Sequence, residues 1–153
     1  MQKVVEGISH WIKTLPEEYN SMSEEEISNR PLPNKWSKKE ILGHLCDSAV
    51  NNIERFIKIQ YEERVYVIQS YNQDQWVTVQ NYQDRTLDEI VNLFQTLNKQ
   101  IVNIVKNIPN EKLSNLCDIG KNQHKTLEWL IQDYLGHMEH HIHNQILIEN
   151  SDL

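Results

Sequence analysis

The chain has 153 residues, 24% of them charged and 39% hydrophobic, with four glycines and four prolines. That length suits one domain, residues 1–153, with a core that needs no disulfide, and so little Gly and Pro excludes collagen-like, low-complexity and turn-rich all-β chains. Fifteen Lys and Arg against 22 Asp and Glu leave a net charge of −7, which argues against a phosphate-backbone binder, because neutralising phosphates needs surplus cations.

The N-terminal residues Met1 to Glu6 contain no apolar signal core, and no run approaches the ~20 apolar residues of a membrane span. Cys46 and Cys117 form no metal or redox motif. The expectation is a reduced, cytoplasmic protein with no membrane or nucleic-acid partner.

In chain order, Val4, Val5, Ile8, Trp11, Ile12 and Leu15 recur at three- and four-residue steps and predict an amphipathic helix. Pro16 is expected to interrupt or kink it. Residues 21–35, with Pro31 and Pro33, read as a connector with a helical turn at Ser23–Glu26. Ser37 and Glu40 form a capping box for a second helix. Its apolar stripe runs through Ile41, Leu42, Leu45, Ala49, Ile53, Phe56 and Ile57 to about residue 62. Residues 63–85 then connect to helix three and contain Tyr66, Tyr71, Trp76 and Tyr82. A connection that long is expected to hold short structure or to serve function. It also allows the chain to recross the bundle, with helices two and three parallel. Thr86 and Glu89 form the box of the third helix, whose stripe from Leu87 to Ile108 stops at Pro109. Thr126 caps the fourth, which carries Leu127, Leu130, Ile131, Tyr134, Leu135, Met138, Ile142 and Ile146. Four such helices make an all-α four-helix bundle the expected architecture.

Seven histidines carry the chemical signal. At about 100° per residue, His137 and His141 fall within about 40° of each other at the edge of the buried stripe, while His140 and His143 fall on the solvated side. On helix two, His44, Asp47, Ser48, Asn51 and Arg55 make a polar stripe that flanks the apolar face rather than opposing it. A stripe in that place reads as the wall of a cavity between helices. One histidine from helix two and two from helix four are expected to converge there as neutral imidazoles, good ligands for zinc, nickel or iron. Three protein ligands leave a position open for water or substrate, as in catalytic sites. Asp47, one turn after His44, is placed to accept a ligand's second N–H. Trp36 and Trp129 read as packing residues and Cys46 as a buried small hydrophobe; Cys117 sits in a polar connector open to solvent.

Residues 33–47 (P-N-K-W-S-K-K-E-I-L-G-H-L-C-D) and 126–145 (T-L-E-W-L-I-Q-D-Y-L-G-H-M-E-H-H-I-H-N-Q) resemble the two metal-histidine stretches of the DinB-like superfamily. The resemblance implies a four-helix bundle of up-down-down-up topology, with the 63–85 crossover between helices two and three. It also implies a homodimer and one divalent metal ion per chain, zinc or nickel before iron or manganese, on His44, His137 and His141. The branches resembled include bacillithiol S-transferases and mycothiol-dependent isomerases.

The leading expectation is therefore a metal-dependent S-transferase in which the ion lowers the pKa of a small thiol that attacks an electrophile. Ser48, Asn51 and Arg55 would hold carboxylates or hydroxyls of the cosubstrate. A variant hydrolyses an amide or ester at the same open position. The alternatives are a non-catalytic metal-binding stress-response bundle and a helical interaction module without metal.

Overall fold

The computed structural model describes residues 1–148, so the last five positions of the expected 1–153 domain lie outside the described residues. Helix α1 (Gln2–Asn20) buries Val4, Val5, Ile8, Trp11, Leu15 and Tyr19, the face its spacing predicts. It runs through Pro16 rather than ending there. Proline has no N–H for the carbonyl four residues back, which is that of Ile12. That oxygen instead accepts a hydrogen bond from the Gln95 side-chain amide at 3.0 Å, so a neighbouring helix satisfies what the proline leaves open.

Ser23 caps the short helix α2 (Glu24–Ser28), where the sequence reading had a single turn. Helix α3 (Lys38–Tyr61) starts from the complete Ser37–Glu40 capping box. The crossover does hold structure: strand β1 (Tyr66–Val67), helix α4 (Gln73–Val79) and a 3₁₀ turn at Tyr82–Asp84. Thr86 caps α5 (Leu87–Lys106), but the expected box is not completed. The Glu89 carboxylate turns to Arg85 Nε at 3.2 Å instead, because a cationic donor one turn back attracts it more than a backbone N–H does. Thr126 caps α6 (Leu127–His141), and the helix widens into a π turn over Ile142–Ile146.

The protein is mostly helical but not all-α. Strand β1 pairs in parallel with β2 (Leu116–Asp118), which pairs antiparallel with β3 (His124–Thr126); Tyr66 and Lys125 both stand opposite Cys117. Strands of two or three residues are too short to show an alternating pattern. The β2–β3 turn passes through positive φ at Gly120, Lys121 and Asn122. The sheet buries Cys117 completely, correcting the expected exposure of that thiol.

Helix α5 packs on α3 and α1, and α6 packs on the same two helices. Leu135 of α6 occupies the space a side chain at Gly7 would need, and Trp11 donates to Glu139 at 3.1 Å. Phe56 of α3 meets Tyr134 of α6 edge-on at 5.9 Å. The buried Tyr134 hydroxyl is satisfied by Asn98 of α5 at 2.6 Å. The crossover folds back so closely that a Cβ on Gly43 would clash with the Tyr82 ring. No helix among the described residues is long and apolar enough to cross a membrane.

The Gln95–Ile12 bond should be conditional on the proline. Gln95→Leu is expected to destabilise the protein by about 1 kcal/mol, and by less in a Pro16→Ala background, where the alanine N–H can serve the Ile12 carbonyl. Urea unfolding of the four proteins of this cycle measures the coupling; strictly additive effects would show that the amide does not replace the missing donor.

Candidate functional site

The Ser37 cap sets the start of α3, and with it the turn on which His44 stands. There α3 faces the C-terminal end of α6. His44 is 4% exposed, and its ring lies 4.8 Å from that of His141, edge to face at 74°. Trp36, expected only to pack, lies against His44 at 4.8 Å. The Nδ1 atom of His44 is buried without a hydrogen-bond partner, a state rare in folded proteins and worth roughly 1–3 kcal/mol when left uncompensated.

Burial lowers the pKa of His44 to about 4, with the nearby His141 and His137 acting in the same direction. Burial also lowers His141. Both rings are therefore neutral near pH 7, the form in which imidazole ligates metals. His141 Nδ1 lies 2.6 Å from Gln145 Oε1. An amide oxygen only accepts, so Nδ1 carries the proton and Nε2 keeps a free lone pair. Gln145 belongs to the π turn, a local widening frequent at functional sites.

His137 lines the same cleft but does not join the pair. Its side chain is 70% exposed, with Nε2 3.8 Å from Asp133 Oδ2 one turn back along α6. The three histidines thus share a cleft, not a point. Among the described residues, no group of three or more His, Cys, Asp or Glu side chains is disposed to hold a metal. The donor chemistry nevertheless suits a divalent transition ion, since two neutral imidazoles meet and one has a buried nitrogen that nothing satisfies. His44, His141 and a His137 ring turned away from Asp133 are the residues able to hold one.

The cleft has a volume of about 290 Å³. The polar stripe read on α3 divides across it. Ser48 and Arg55 line the cleft, whereas Asn51 does not; Asn52 stands there in its place. The Asn51 amide bonds back to the Asp47 carbonyl at 2.9 Å. The stripe's direction came from α3 alone, but the cavity is set by α6 and the crossover, which meet α3 on the Ser48 side and favour residue 52. Asp47 points toward the crossover. Its Oδ1 accepts from Gln80 and from the Tyr82 hydroxyl, each at 2.7 Å, so it is not the acceptor of a histidine N–H that its position suggested. Its Oδ2 is buried and unpartnered, and burial raises its pKa. Asn81, in the left-handed conformation at φ 54°, turns the chain so that both neighbours reach Asp47. Asparagine tolerates that conformation better than most residues.

Ile68, Ser70, Tyr71 and Gln73 of the crossover, with Trp129 of α6, also line the cleft. Sequence reasoning had no way to place them. The tyrosine- and tryptophan-rich composition of 63–85 was the available signal. Cys46 is buried as expected, and burial pushes its thiol above the range of a nucleophile.

The family model of the DinB superfamily matches residues 10–144. The chain belongs to the DinB superfamily. A protein of Oceanobacillus iheyensis named "Putative metal-dependent hydrolase OB0413" is 22% identical over 155 residues, covering 96% of this chain and 88% of the relative. A protein of Halalkalibacterium halodurans named "Putative metal-dependent hydrolase BH0277" is 24% identical over 142 residues, 88% of this chain and 82% of the relative. Among solved structures, YfiT from Bacillus subtilis superposes with a TM-score of 0.82 at 19% identity, over 92% of this chain and 81% of that one. YfiT is described as "a probable metal-dependent hydrolase with an unusual four-helix bundle topology". At that identity the likeness is one of fold, and this DinB-superfamily chain shares the bundle.

The depressed pKa of His44 has a definite sign. With 6.5 in the unfolded chain and about 4 in the folded protein, its contribution to stability is complete above pH 6.5 and is lost as pH falls toward 4. The loss has a limit of roughly 3 kcal/mol. Asp47, shifted up by burial, works in the opposite direction. In metal-stripped protein, His44→Gln is expected to flatten the acid decline of the urea midpoint between pH 6.5 and 4 relative to wild type. Parallel curves would show that burial does not hold this ring neutral.

Proposed function

We propose that this chain is a divalent-metal-dependent hydrolase acting on a small ester or amide, with His44, His141 and His137 as the protein ligands of one zinc or nickel ion. The observation that carries the reading is the meeting of His44 and His141, both neutral, at the wall of a cleft large enough for a small molecule. The names of the two curated relatives support the hydrolytic choice. When bound, such an ion supplies Lewis-acid polarisation of a carbonyl and a water of lowered pKa.

The chain's own residues do the rest. Burial keeps His44 in its ligating form, and the Gln145 oxygen holds the His141 tautomer that leaves Nε2 free. His137 needs only to turn about its side-chain torsions, a cheap motion for an exposed ring. Trp129, Leu130 and Ile119 make an apolar wall that excludes water from the bound substrate, and Ser48 and Asn52 offer hydrogen bonds along the facing wall.

Thiol S-transfer is the second reading. Cys46 and Cys117 are both buried with thiols raised by burial, so neither competes with a thiol from solution for the open position. The helix directions belong to the same proposal: α1 and α6 up, α3 and α5 down. Contacts rise together along α1 and α6, with Gly7 at Leu135 and Trp11 at Glu139. They run in opposite senses along α3 and α6, with His44 at His141 and Phe56 at Tyr134. Likewise Val5 lies near Val105 while Ile12 meets Gln95.

Elemental analysis of untagged protein should give one divalent ion per chain. His44→Ala and His141→Ala should each weaken its binding by about a hundredfold or more, as loss of a direct ligand exceeds the effect of removing an outer partner. Absence of a stoichiometric ion, or occupancy unchanged in both variants, would rule the site out. A panel of esters, amides and thiols with an electrophile then separates the readings by which turnover disappears on chelation and returns with added ion. A bound ion with no such turnover would mark it as structural.

A further inference from the structure

Among the described residues, the cleft is lined by one cation, Arg55, and one carboxylate, Asp133, which stands beside His137 and not beside Arg55. Arg55 lines it about three turns of α3 beyond His44 and is half-buried, yet it takes part in none of the ion pairs among the described residues. Of its five N–H donors, one is engaged, by the Gln69 carbonyl at 2.7 Å. The guanidinium also lies over the Tyr71 ring at 5.9 Å. Gln69 and Tyr71 both belong to the crossover, so the arginine is held in position from outside α3. In a chain of net charge −7, a guanidinium without a carboxylate partner, held at one end of a cavity, has the charge and geometry to receive an anion.

The cleft also has a direction. His44, Ser48, Asn52 and Arg55 stand at successive turns of α3, and all four line it. From His44 to Arg55 the helix rises roughly 16 Å. We infer that the substrate is an elongated monoanion, with a terminal carboxylate on Arg55 and the bond to be cleaved beside His44 and His141, about thirteen extended-chain atoms away. A carboxylate fits better than a phosphate. One planar guanidinium matches one carboxylate in a two-point contact, whereas a phosphate dianion would need further cations, and among the described residues Arg55 is the only Lys or Arg lining the cleft. Ser48 and Asn52 serve the polar groups between the two ends. Arg55 is thus a specificity-determining residue. The inference rests on the hydrolytic reading for the placement of the reacting bond, but not for the anion site.

The test uses the full chain loaded with zinc and two measurements. The first compares mono-p-nitrophenyl esters of α,ω-dicarboxylic acids of about four, eight and twelve carbons with twins whose far carboxylate is methylated. The free acid should be preferred tenfold or more in kcat/KM at the longest chain and not at the shortest. Arg55→Met should abolish that ratio, and Arg55→Lys, which keeps the charge, should retain part of it. The second measures binding of dodecanedioate by calorimetry, where Arg55→Met should weaken affinity tenfold or more. A ratio independent of chain length or of Arg55 overturns the inference, as does dicarboxylate binding that is absent or equal in wild type and Arg55→Met. If binding depends on Arg55 while no ester is cleaved in a chelator-sensitive way, the anion site stands and the hydrolytic reading falls.

Discussion

The candidate site depends on the approach of two rings, His44 and His141, across the α3–α6 contact. Each comes from a helix whose start is fixed by a side-chain cap, Ser37 in one and Thr126 in the other. The caps fix where each helix begins, and Phe56 packs against Tyr134 farther along the same contact. Taking His44 out of water disfavours its charged form and leaves Nδ1 without a partner. Folding tolerates that cost because the core around it is large. Departures of this kind from full hydrogen-bond satisfaction concentrate where a protein does chemistry.

The 63–85 crossover is the second organising element. It forms one wall of the cleft through Ile68, Ser70, Tyr71 and Gln73. It holds Arg55 from the side through Gln69 and Tyr71. It also delivers Gln80 and Tyr82 to the Asp47 carboxylate. Gly43 makes this possible, since any side chain there would displace the Tyr82 ring. Asp47 is thereby buried with one oxygen satisfied and one not. The two unpartnered atoms, His44 Nδ1 and Asp47 Oδ2, sit on adjacent turns of the same helix. The strain of the site is concentrated on this stretch of α3, where the bundle and its crossover meet.

Much of this was legible before any coordinates. The helix starts at Ser37, Thr86 and Thr126 follow from local hydrogen bonding that each segment carries by itself, and the capping residues sit where those bonds require. The four-residue step from His137 to His141 and the polar stripe beside the apolar face of α3 pointed to a space between the two helices, and a cleft lies there. The stripe's centre was misjudged by one residue, Asn51 for Asn52, because a helical wheel gives angles within one helix and not the direction from which a neighbour arrives. Pro16 reads as an interruption or a kink for a similar reason: the acceptor it leaves open is filled by Gln95, distant in sequence. The two- and three-residue strands and the burial of Cys117 were invisible, since strands so short carry no alternating pattern and β1 pairs with β2 from some fifty residues away.

The four long helices, their caps and their apolar faces, and the residue types able to bind a metal, follow from interactions within a few residues along the chain. Packing between the helices settles which histidines meet, that His137 turns to Asp133 instead, that Arg55 stands unpaired, and which oxygen of Asp47 is left over. Those outcomes depend on distances between helices, and such distances are set by the packing of the whole core at once.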